Sequence, residues 1–342
     1  MGYNSGTDPV VIVGGGYDSC EDNDAATTVC SSPKGRNVYV LNASTGAILK
    51  TFGAGGTGTI DRSIAADVAL VDRAFTGYAQ HAYVADMGGN LYRIDFVDPA
   101  TRAARAPADW TITKIARTSG GNRKFLFAPA VLPSAGKVYL TIGTGDRERP
   151  LITNYPYAES VQNRFYMFVD SFPSTAAAAV DLDGVTMNDF TASTSCSSAI
   201  STGSNGWRMD LNAGRGEQSV TSSLIAGGLV YFSTNRPLAA PVAACTNNLG
   251  EARGYAVNLL NASGAVGTDA LCGGTRSGIF LGGGLPPSPV IGTVPVGGKP
   301  MTVMIGGIDR TGAASSPIGS QKIVPVIAQK RTRTYWFRQG DK

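Results

Sequence analysis

Short apolar runs that end at glycine, asparagine or aspartate recur along the chain. Three of them, Val68–Val71, Ala82–Asp86 and Asn90–Phe96, follow one another within the stretch Ile64–Phe96. Short runs that are rich in β-branched and aromatic residues and bounded by turn-forming residues are typical of a sheet of short antiparallel strands. The two glycines within Met87–Asn90 add a hairpin signal between the second and third runs. The pattern therefore predicts an all-β chain built from units of this kind.

A second strand-turn-strand pattern occurs twice. Residues 36–52 contain it around the turn Asn42–Gly46, and residues 254–267 repeat it around Asn261–Gly264. The glycine of each turn suits a left-handed backbone position, which a residue without a Cβ adopts at no steric cost. A repeat of this form is typical of propeller blades of the quinoprotein-like type.

The composition favours one large β domain. Of the 342 residues, 43% are hydrophobic, 44 are glycine and 18 are proline, so the chain can bury a large core and contains many turns. A single propeller domain spanning residues 1–342 fits this length. No apolar stretch approaches the roughly 18 residues that a membrane-spanning helix needs. The net charge of +4 is scattered apart from Lys330–Arg338, whose alternating basic and apolar residues favour a closing strand over a nucleic-acid-binding patch.

The first residues indicate an excised domain. No signal peptide is visible, and Met1 stands just ahead of the apolar run Val10–Val13. The last blade of a propeller usually closes against N-terminal residues, so Val10–Val13 is the expected place of closure.

Two stretches of the chain resemble a known family. The first contains Ala66-Asp67-Val68, Ala82–Asp86 and Gly88–Asp95, and the second runs from Gly206 to Pro237. Both resemble the C-terminal β-propeller of the PilC/PilY family, which comprises large adhesins associated with the tip of bacterial type IV pili. The resemblance implies an all-β, quinoprotein-like propeller of six or seven blades with long loop insertions. It also implies that the chain is the C-terminal domain of a larger surface protein.

The same resemblance implies a function. The expected role is that of a non-enzymatic module for type IV pilus biogenesis and adhesion, supporting control of pilus extension and retraction as well as attachment. The expected partners are an N-terminal adhesive domain of the same protein, minor pilins at the pilus tip, and a host or surface receptor of unknown identity. The expected location is the periplasm or the cell surface at the pilus tip.

The alternative function is that of a quinone-cofactor dehydrogenase, because those propellers share the strand-turn-strand repeat. Such a site needs an adjacent cysteine pair, a tryptophan platform and a calcium-held base. The chain has no adjacent cysteines and only three tryptophans. The single histidine, His81, is interpreted as structural rather than catalytic, and no nucleophile elbow is present.

The loop after Val71 is a candidate calcium site only by resemblance. In relatives that bind calcium, this loop supplies carboxylates at alternating positions, because the ion takes six to eight oxygen ligands. The ligand positions here hold Asp72, Ala74, Thr76 and Gln80, so one of the four carries a charge. A single carboxylate cannot hold the ion well, and we therefore expect the loop to be ordered by its own hydrogen bonds and by packing of Phe75 or Tyr78.

A second acidic loop lies between the first and the second predicted strand of the chain. Cys20 and Cys30 bracket it at a spacing that a disulfide closes easily, and we expect that bridge. The carboxylates in and beside the bracketed loop could hold calcium, but a solvated polar loop is the preferred interpretation because spacing alone does not fix ligand geometry. These residues are Asp18, Glu21, Asp22 and Asp24.

The other three cysteines have no zinc-site spacing. They are Cys196, Cys245 and Cys272, so one of them is expected to be unpaired or to pair outside the chain. The cysteine content favours an oxidising compartment. Residues 181–184 resemble half of a calcium loop but lack its last carboxylate, because that position is Ala192.

Overall fold

The structure is a computed structural model, and it describes residues 2–3, 8–22, 30, 32–120, 122–172, 178–192, 194–239, 249–310, 316 and 319–323. Within these ranges the regular structure is β-strand, with two short 3-10 helices at Ser19–Asp22 and Pro107–Asp109 and no α-helix. None of the helices in these ranges is long and apolar enough to cross a membrane. The prediction of an all-β chain is confirmed.

The strands are short, as the apolar runs predict. In chain order they are β1 (Gly2–Tyr3), β2 (Asp8–Gly14), β3 (Asn37–Asn42), β4 (Ile48–Gly53), β5 (Ala69–Val71), β6 (His81–Ala85), β7 (Asn90–Asp95), β8 (Thr111–Arg117), β9 (Ala130–Ser134), β10 (Lys137–Gly143), β11 (Arg164–Ser171), β12 (Val180–Asp181), β13 (Asn188–Asp189), β14 (Gly206–Asp210), β15 (Gln218–Ser219), β16 (Leu224–Ala226), β17 (Leu229–Arg236), β18 (Glu251–Asn258), β19 (Ser277–Ile279), β20 (Val290–Val296), β21 (Lys299–Ile305) and β22 (Ser320–Lys322).

These strands form five sheets, numbered here in chain order. Sheet 1 has the order β1-β2-β3-β4, and sheet 2 has β12-β8-β7-β6-β5. Sheet 3 has β13-β14-β11-β10-β9, sheet 4 has β15-β17-β18-β19 with β16 also paired to β17, and sheet 5 has β20-β21-β22. Neighbouring strands are antiparallel except β12 and β13, which join the edges of sheets 2 and 3 in parallel. The described residues thus form five sheets, and the six or seven blades that the sequence predicts stay a prediction for the whole chain.

Successive sheets pack face to face, and one apolar cluster fills each interface. Burial of these side chains is the main favourable term for the fold. The clusters include Val40 and Val84 between sheets 1 and 2, Leu91 and Leu140 between sheets 2 and 3, Met167 and Val230 between sheets 3 and 4, and Tyr231 and Met304 between sheets 4 and 5.

Strand β6 shows how the sequence produces this arrangement. Tyr83 and Ala85 belong to the cluster shared with sheet 3, whereas Ala82 and Val84 belong to the cluster shared with sheet 1. Successive side chains of a strand point to opposite faces, so a strand between two sheets buries every residue. All five residues of β6 are buried. The predicted hairpin to β7 is confirmed, and Gly89 has a φ of +74° there.

The two ends of this stack are open among the described residues. On β2 the side chains of Val11 and Val13 are exposed, and every residue of β20 is exposed. The segment Lys330–Arg338, which the sequence predicts as a closing strand, lies outside the described residues. Closure of a ring at Val10–Val13 therefore stays a prediction.

Candidate functional site

The Asp72 loop, which connects β5 to β6, is closed by hydrogen bonds among its own residues. The backbone N–H of Gly77 donates to Oδ2 of Asp72 at 2.6 Å, and Nε2 of Gln80 donates to Oδ1 at 2.9 Å. The same Nε2 donates to Oγ1 of Thr76 at 2.9 Å, while Oε1 of Gln80 accepts from the backbone N–H of Ala74 at 3.1 Å. Amide donors thus satisfy oxygens that a calcium ion would otherwise need.

The acidity of Asp72 reflects these contacts. Its partial burial raises the pKa, but backbone hydrogen bonds from Thr76 and Gly77 lower it more, so the net pKa lies below its ordinary value. The expectation of a loop ordered by its own hydrogen bonds agrees with this geometry. The expected packing is wrong, because Phe75 is 79% and Tyr78 is 47% exposed. The loop tip projects into solvent, and the buried amide side chain of Gln80 takes the place of an aromatic anchor.

The second acidic loop contains the disulfide between Cys20 and Cys30 that its spacing predicts. The carboxylate of Asp18 lies beside this bridge and accepts from the backbone N–H groups of Lys34 at 2.6 Å and Cys20 at 3.1 Å. These two hydrogen bonds hold the pKa of Asp18 below its ordinary value. We call residues 17–22 together with Cys30 the stapled loop.

The other carboxylates of the stapled loop point to different partners. Glu21 is buried, accepts from the backbone N–H of Ser63 at 3.1 Å and pairs with Arg62 at 2.5 Å. Asp22 accepts from the Tyr17 hydroxyl and lies 3.4 Å from the guanidinium of Arg149. The fourth predicted ligand, Asp24, lies outside the described residues.

The described carboxylates of this loop do not gather around one point. Among the described residues, the single group of three potential metal ligands joins Asp18 with Cys20 and Cys30. Both sulfur atoms of that group are already bonded to each other. Calcium binding here stays a prediction.

A buried ion pair connects the stapled loop to sheets 3 and 4, and sequence reasoning missed it. Nζ of Lys124 donates to the backbone oxygen of Glu21 at 2.8 Å and to Oδ2 of Asp146 at 2.7 Å. The backbone N–H of Asp146 donates to Oε1 of Gln218 at 2.6 Å. The available signal was a lysine directly before the apolar run Phe125–Phe127, where a charge needs a partner.

His81 lies in a buried charged network between sheets 2 and 3. Its Nδ1 is 2.7 Å from Oδ1 of Asp95, and Arg93 bonds both Asp95 and Asp170. Burial alone would lower the pKa of Arg93, but Asp170 and Asp95 raise it above its ordinary value. The structural interpretation of this histidine stays a prediction.

The half calcium loop at residues 181–184 is also a structural element. Asp183 pairs with Arg123 at 3.0 Å and with Arg164 at 2.7 Å, and it accepts from the Tyr166 hydroxyl. Two guanidinium groups already neutralise this carboxylate, which disfavours a metal ion there.

A second disulfide joins Cys196 to Cys272 across 76 residues, with their Cα atoms 5.4 Å apart. It connects the segment before β14 of sheet 3 to the segment before β19 of sheet 4. The amide of Asn261 donates to the backbone oxygen of Ser198 at 3.0 Å beside the bridge. Cys245 lies outside the described residues.

The fold is similar to that of known propeller proteins. The C-terminal domain of PilY1 from Pseudomonas aeruginosa superposes with a TM-score of 0.54 at 15% sequence identity, covering 78% of this chain and 64% of that chain. This likeness shows a propeller-type fold. The chain spans less than two thirds of that structure.

Two further structures are more distant. A quinohemoprotein alcohol dehydrogenase from Comamonas testosteroni has a TM-score of 0.41 at 15% identity, covering 85% of this chain and 40% of that chain. A glycoside hydrolase family 43 arabinoxylan arabinofuranohydrolase from Bacillus subtilis has a TM-score of 0.35 at 14% identity, covering 89% and 57%. Neither carries an argument about this chain. No protein-family model matches the chain, and no curated protein matches it.

Proposed function

We propose that the chain is a non-enzymatic propeller module of a type IV pilus-associated surface protein. In this role it supports pilus extension and retraction and contributes to attachment. The observation that carries the proposal is the shared fold with the PilY1 C-terminal domain, together with the sequence resemblance in Ile64–Phe96 and Gly206–Pro237. Those two stretches supply β5 to β7 and β14 to β17, which belong to the three central sheets.

The proposal includes a location and partners. The disulfides Cys20–Cys30 and Cys196–Cys272 fit an oxidising compartment, such as the periplasm or the cell surface. The proposed partners are an N-terminal adhesive domain of the same protein, minor pilins at the pilus tip and a surface receptor. Calcium is not required in this proposal, because hydrogen bonds already close the Asp72 loop.

A quinone-cofactor dehydrogenase is the less favoured function. The residues present do not fit that cofactor, since the sequence has no adjacent cysteine pair. The two tryptophans in the described ranges, Trp110 and Trp207, are core side chains at 2% and 0% exposure. Their indole N–H groups donate to the backbone oxygens of Arg105 and Leu259, so neither offers an open stacking platform.

The test is genetic removal of the chain from the bacterium that encodes it. We expect fewer surface pili by electron microscopy, weaker attachment, and recovery of both when the intact gene is restored. Sheared pili from the intact strain should contain the chain by immunoblot. Normal pilus number and attachment in the deletion strain would contradict the proposal.

A further inference from the structure

An open cleft of about 730 Å³ lies between the stapled loop and the loop that follows β10. One wall, from the stapled loop, carries Tyr17 and Asp22, and a second wall, from the loop after β10, carries Arg147 and Glu148. Phe127 adds an aromatic surface to the lining. A volume of this size falls within the roughly 300–1,000 Å³ of small-molecule sites.

Both walls of the cleft are held in place before any ligand arrives. The disulfide Cys20–Cys30 restrains the first wall. The second wall is a turn in which the backbone N–H of Arg149 donates to the oxygen of Asp146 at 2.9 Å. Gln218 clamps this turn by accepting from the N–H of Asp146 at 2.6 Å and donating to the oxygen of Arg149 at 3.3 Å. The cleft is therefore largely preformed, which lowers the entropic cost of binding.

The walls are also tied to each other at one end. A guanidinium nitrogen of Arg149 donates to the backbone oxygen of Asp22 at 2.9 Å and lies 3.4 Å from its carboxylate. Asp22 in turn accepts from the hydroxyl of Tyr17, which fixes that ring at the rim. These contacts neutralise Asp22 and Arg149 and leave the other charged side chains of the cleft available.

Arg147 is the available cation. It is half-buried at the tip of the clamped turn, and it makes no ion pair or hydrogen bond with the residues that the structure describes. A guanidinium presents several N–H donors in a planar fork that matches a carboxylate in two parallel hydrogen bonds. An arginine that has no partner among the described residues and lies in a preformed cleft favours a ligand that carries a carboxylate.

The other available side chains suit hydroxyl groups and a ring. Glu148 is exposed, so its carboxylate can accept from hydroxyl donors, and the amide of Asn154 can both donate and accept. Tyr17 is 39% exposed, and Phe127 is half-buried, so each presents aromatic surface for the C–H face of a ring. A polyhydroxylated ring with one carboxylate uses all of these groups.

We propose that this cleft binds an acidic sugar unit of a glycan, with the sugar carboxylate on Arg147. The hydroxyls bond Glu148 and Asn154, and the ring lies against Phe127 and Tyr17. This inference does not rest on the proposed pilus role, because it uses the cleft geometry alone. Failure of sugar binding would leave pilus number and attachment untested, and loss of pili in a deletion strain would say nothing about the cleft.

The test is calorimetric titration of the purified chain with a trimer of galacturonate. We expect saturable binding with a dissociation constant of about 1 mM or tighter. Arg147→Gln should weaken it at least about tenfold, because it removes a charge-assisted bidentate contact. The matched control is Arg117→Gln, which removes the same charge from an exposed position on β8 in sheet 2. Circular dichroism melting should show that both variants fold as the wild type does.

Several results would overturn the proposal. One is the absence of binding to the wild type, and another is equal weakening by Arg147→Gln and Arg117→Gln, which would indicate a diffuse charge effect. Equal binding of the neutral galactose trimer would show that the carboxylate is not recognised. Tighter binding of a triglutamate peptide than of the galacturonate trimer would assign the cleft to acidic peptides instead.

Discussion

The two acidic loops of this molecule use their carboxylates in opposite ways. In the Asp72 loop, one carboxylate gathers donors from residues at most eight positions away in the chain. In the stapled loop, Glu21 and Asp22 bond Ser63, Arg62 and Arg149, which lie 41 to 127 positions away. The first loop closes on itself, whereas the second connects segments that are distant in the chain. The number of acidic residues in a loop therefore does not indicate how many oxygens remain for an ion.

The largest expected effect of a single substitution is at Glu21. Glu21→Ala leaves the N–H of Ser63 unpaired and removes the partner of Arg62, whose side chain is 23% exposed. We expect the free energy of unfolding to fall by about 2–3 kcal/mol. Urea denaturation checks this, with Glu159→Ala at an exposed position as the control. Equal losses in the two variants would show that the long-range contacts of the stapled loop contribute no stability.

Removal of the Cys20–Cys30 disulfide is expected to have a similar or slightly smaller effect. A bridge that closes so short a loop restricts the unfolded chain and contributes roughly 2–3 kcal/mol. The double variant Cys20→Ser, Cys30→Ser should lose that amount in urea denaturation. Peptide mapping without reductant should show the two peptides linked in the wild type. Recovery of both cysteines as free thiols would contradict the bridge itself.

Asp72 should contribute less, because its contacts are local and solvent-exposed. Asp72→Asn is expected to lower the free energy of unfolding by less than about 1 kcal/mol at neutral pH. The folded-state pKa lies below the ordinary value of 3.8, so the folded chain binds fewer protons than the unfolded chain. The contribution is therefore present above that value and is lost as the pH falls through the folded-state pKa.

The measurement for Asp72 is urea denaturation at several pH values. The difference between the wild type and Asp72→Asn should shrink as the pH falls below about 4. Asp67→Asn, at an exposed neighbouring position, is the matched control. A difference that grows in acid would mean that the hydrogen bonds to Asp72 do not stabilise the folded state.

The prediction with the smallest expected effect on stability concerns calcium binding. We expect no calcium binding at the wild-type Asp72 loop in calorimetric titration, because Gln80 supplies a donor where a ligand oxygen is needed. The double variant Thr76→Asp, Gln80→Asp adds two carboxylates beside Asp72 and should gain calcium binding. The control is Thr76→Asn, Gln80→Asn.

Loss of calcium binding on changing Asp72 alone would contradict this account. It would show that the wild-type loop binds the ion despite its single carboxylate. Loss of binding in Asp22→Ala instead would place a calcium ion on the stapled loop, although Asp22 already contacts Tyr17 and Arg149.

Much of the fold could be predicted from the sequence, because its strands carry local signals. The runs at β6 and β7 and the glycines between them fix a hairpin within a few residues of chain. The packing of the sheets on one another could not be predicted in the same way. Exposure of Val11 on β2 and of the whole of β20 depends on which face has a neighbouring sheet, and no local pattern encodes that.

In the candidate site, too, local features were predictable from the sequence and long-range contacts were not. The spacing of Cys20 and Cys30 was sufficient to predict their bridge, since the loop between them is short. The pairing of Cys196 with Cys272 was not predictable, because chain separation says nothing about the packing of sheets 3 and 4 that brings their Cα atoms to 5.4 Å. The ion pair between Lys124 and Asp146 was not predictable for the same reason, because the two residues are 22 positions apart and lie in separate loops.

The apolar clusters between consecutive sheets set an order in which the sheets can pack during synthesis. During synthesis from the N-terminus, each sheet after the first can pack on the sheet just completed. Its other face is covered only when the next sheet forms. The sheet formed most recently exposes one apolar face, and this exposure favours aggregation during synthesis. The Cys196–Cys272 bridge can form only after the segment before β19 has emerged, and it then connects a segment of sheet 3 covalently to a segment of sheet 4.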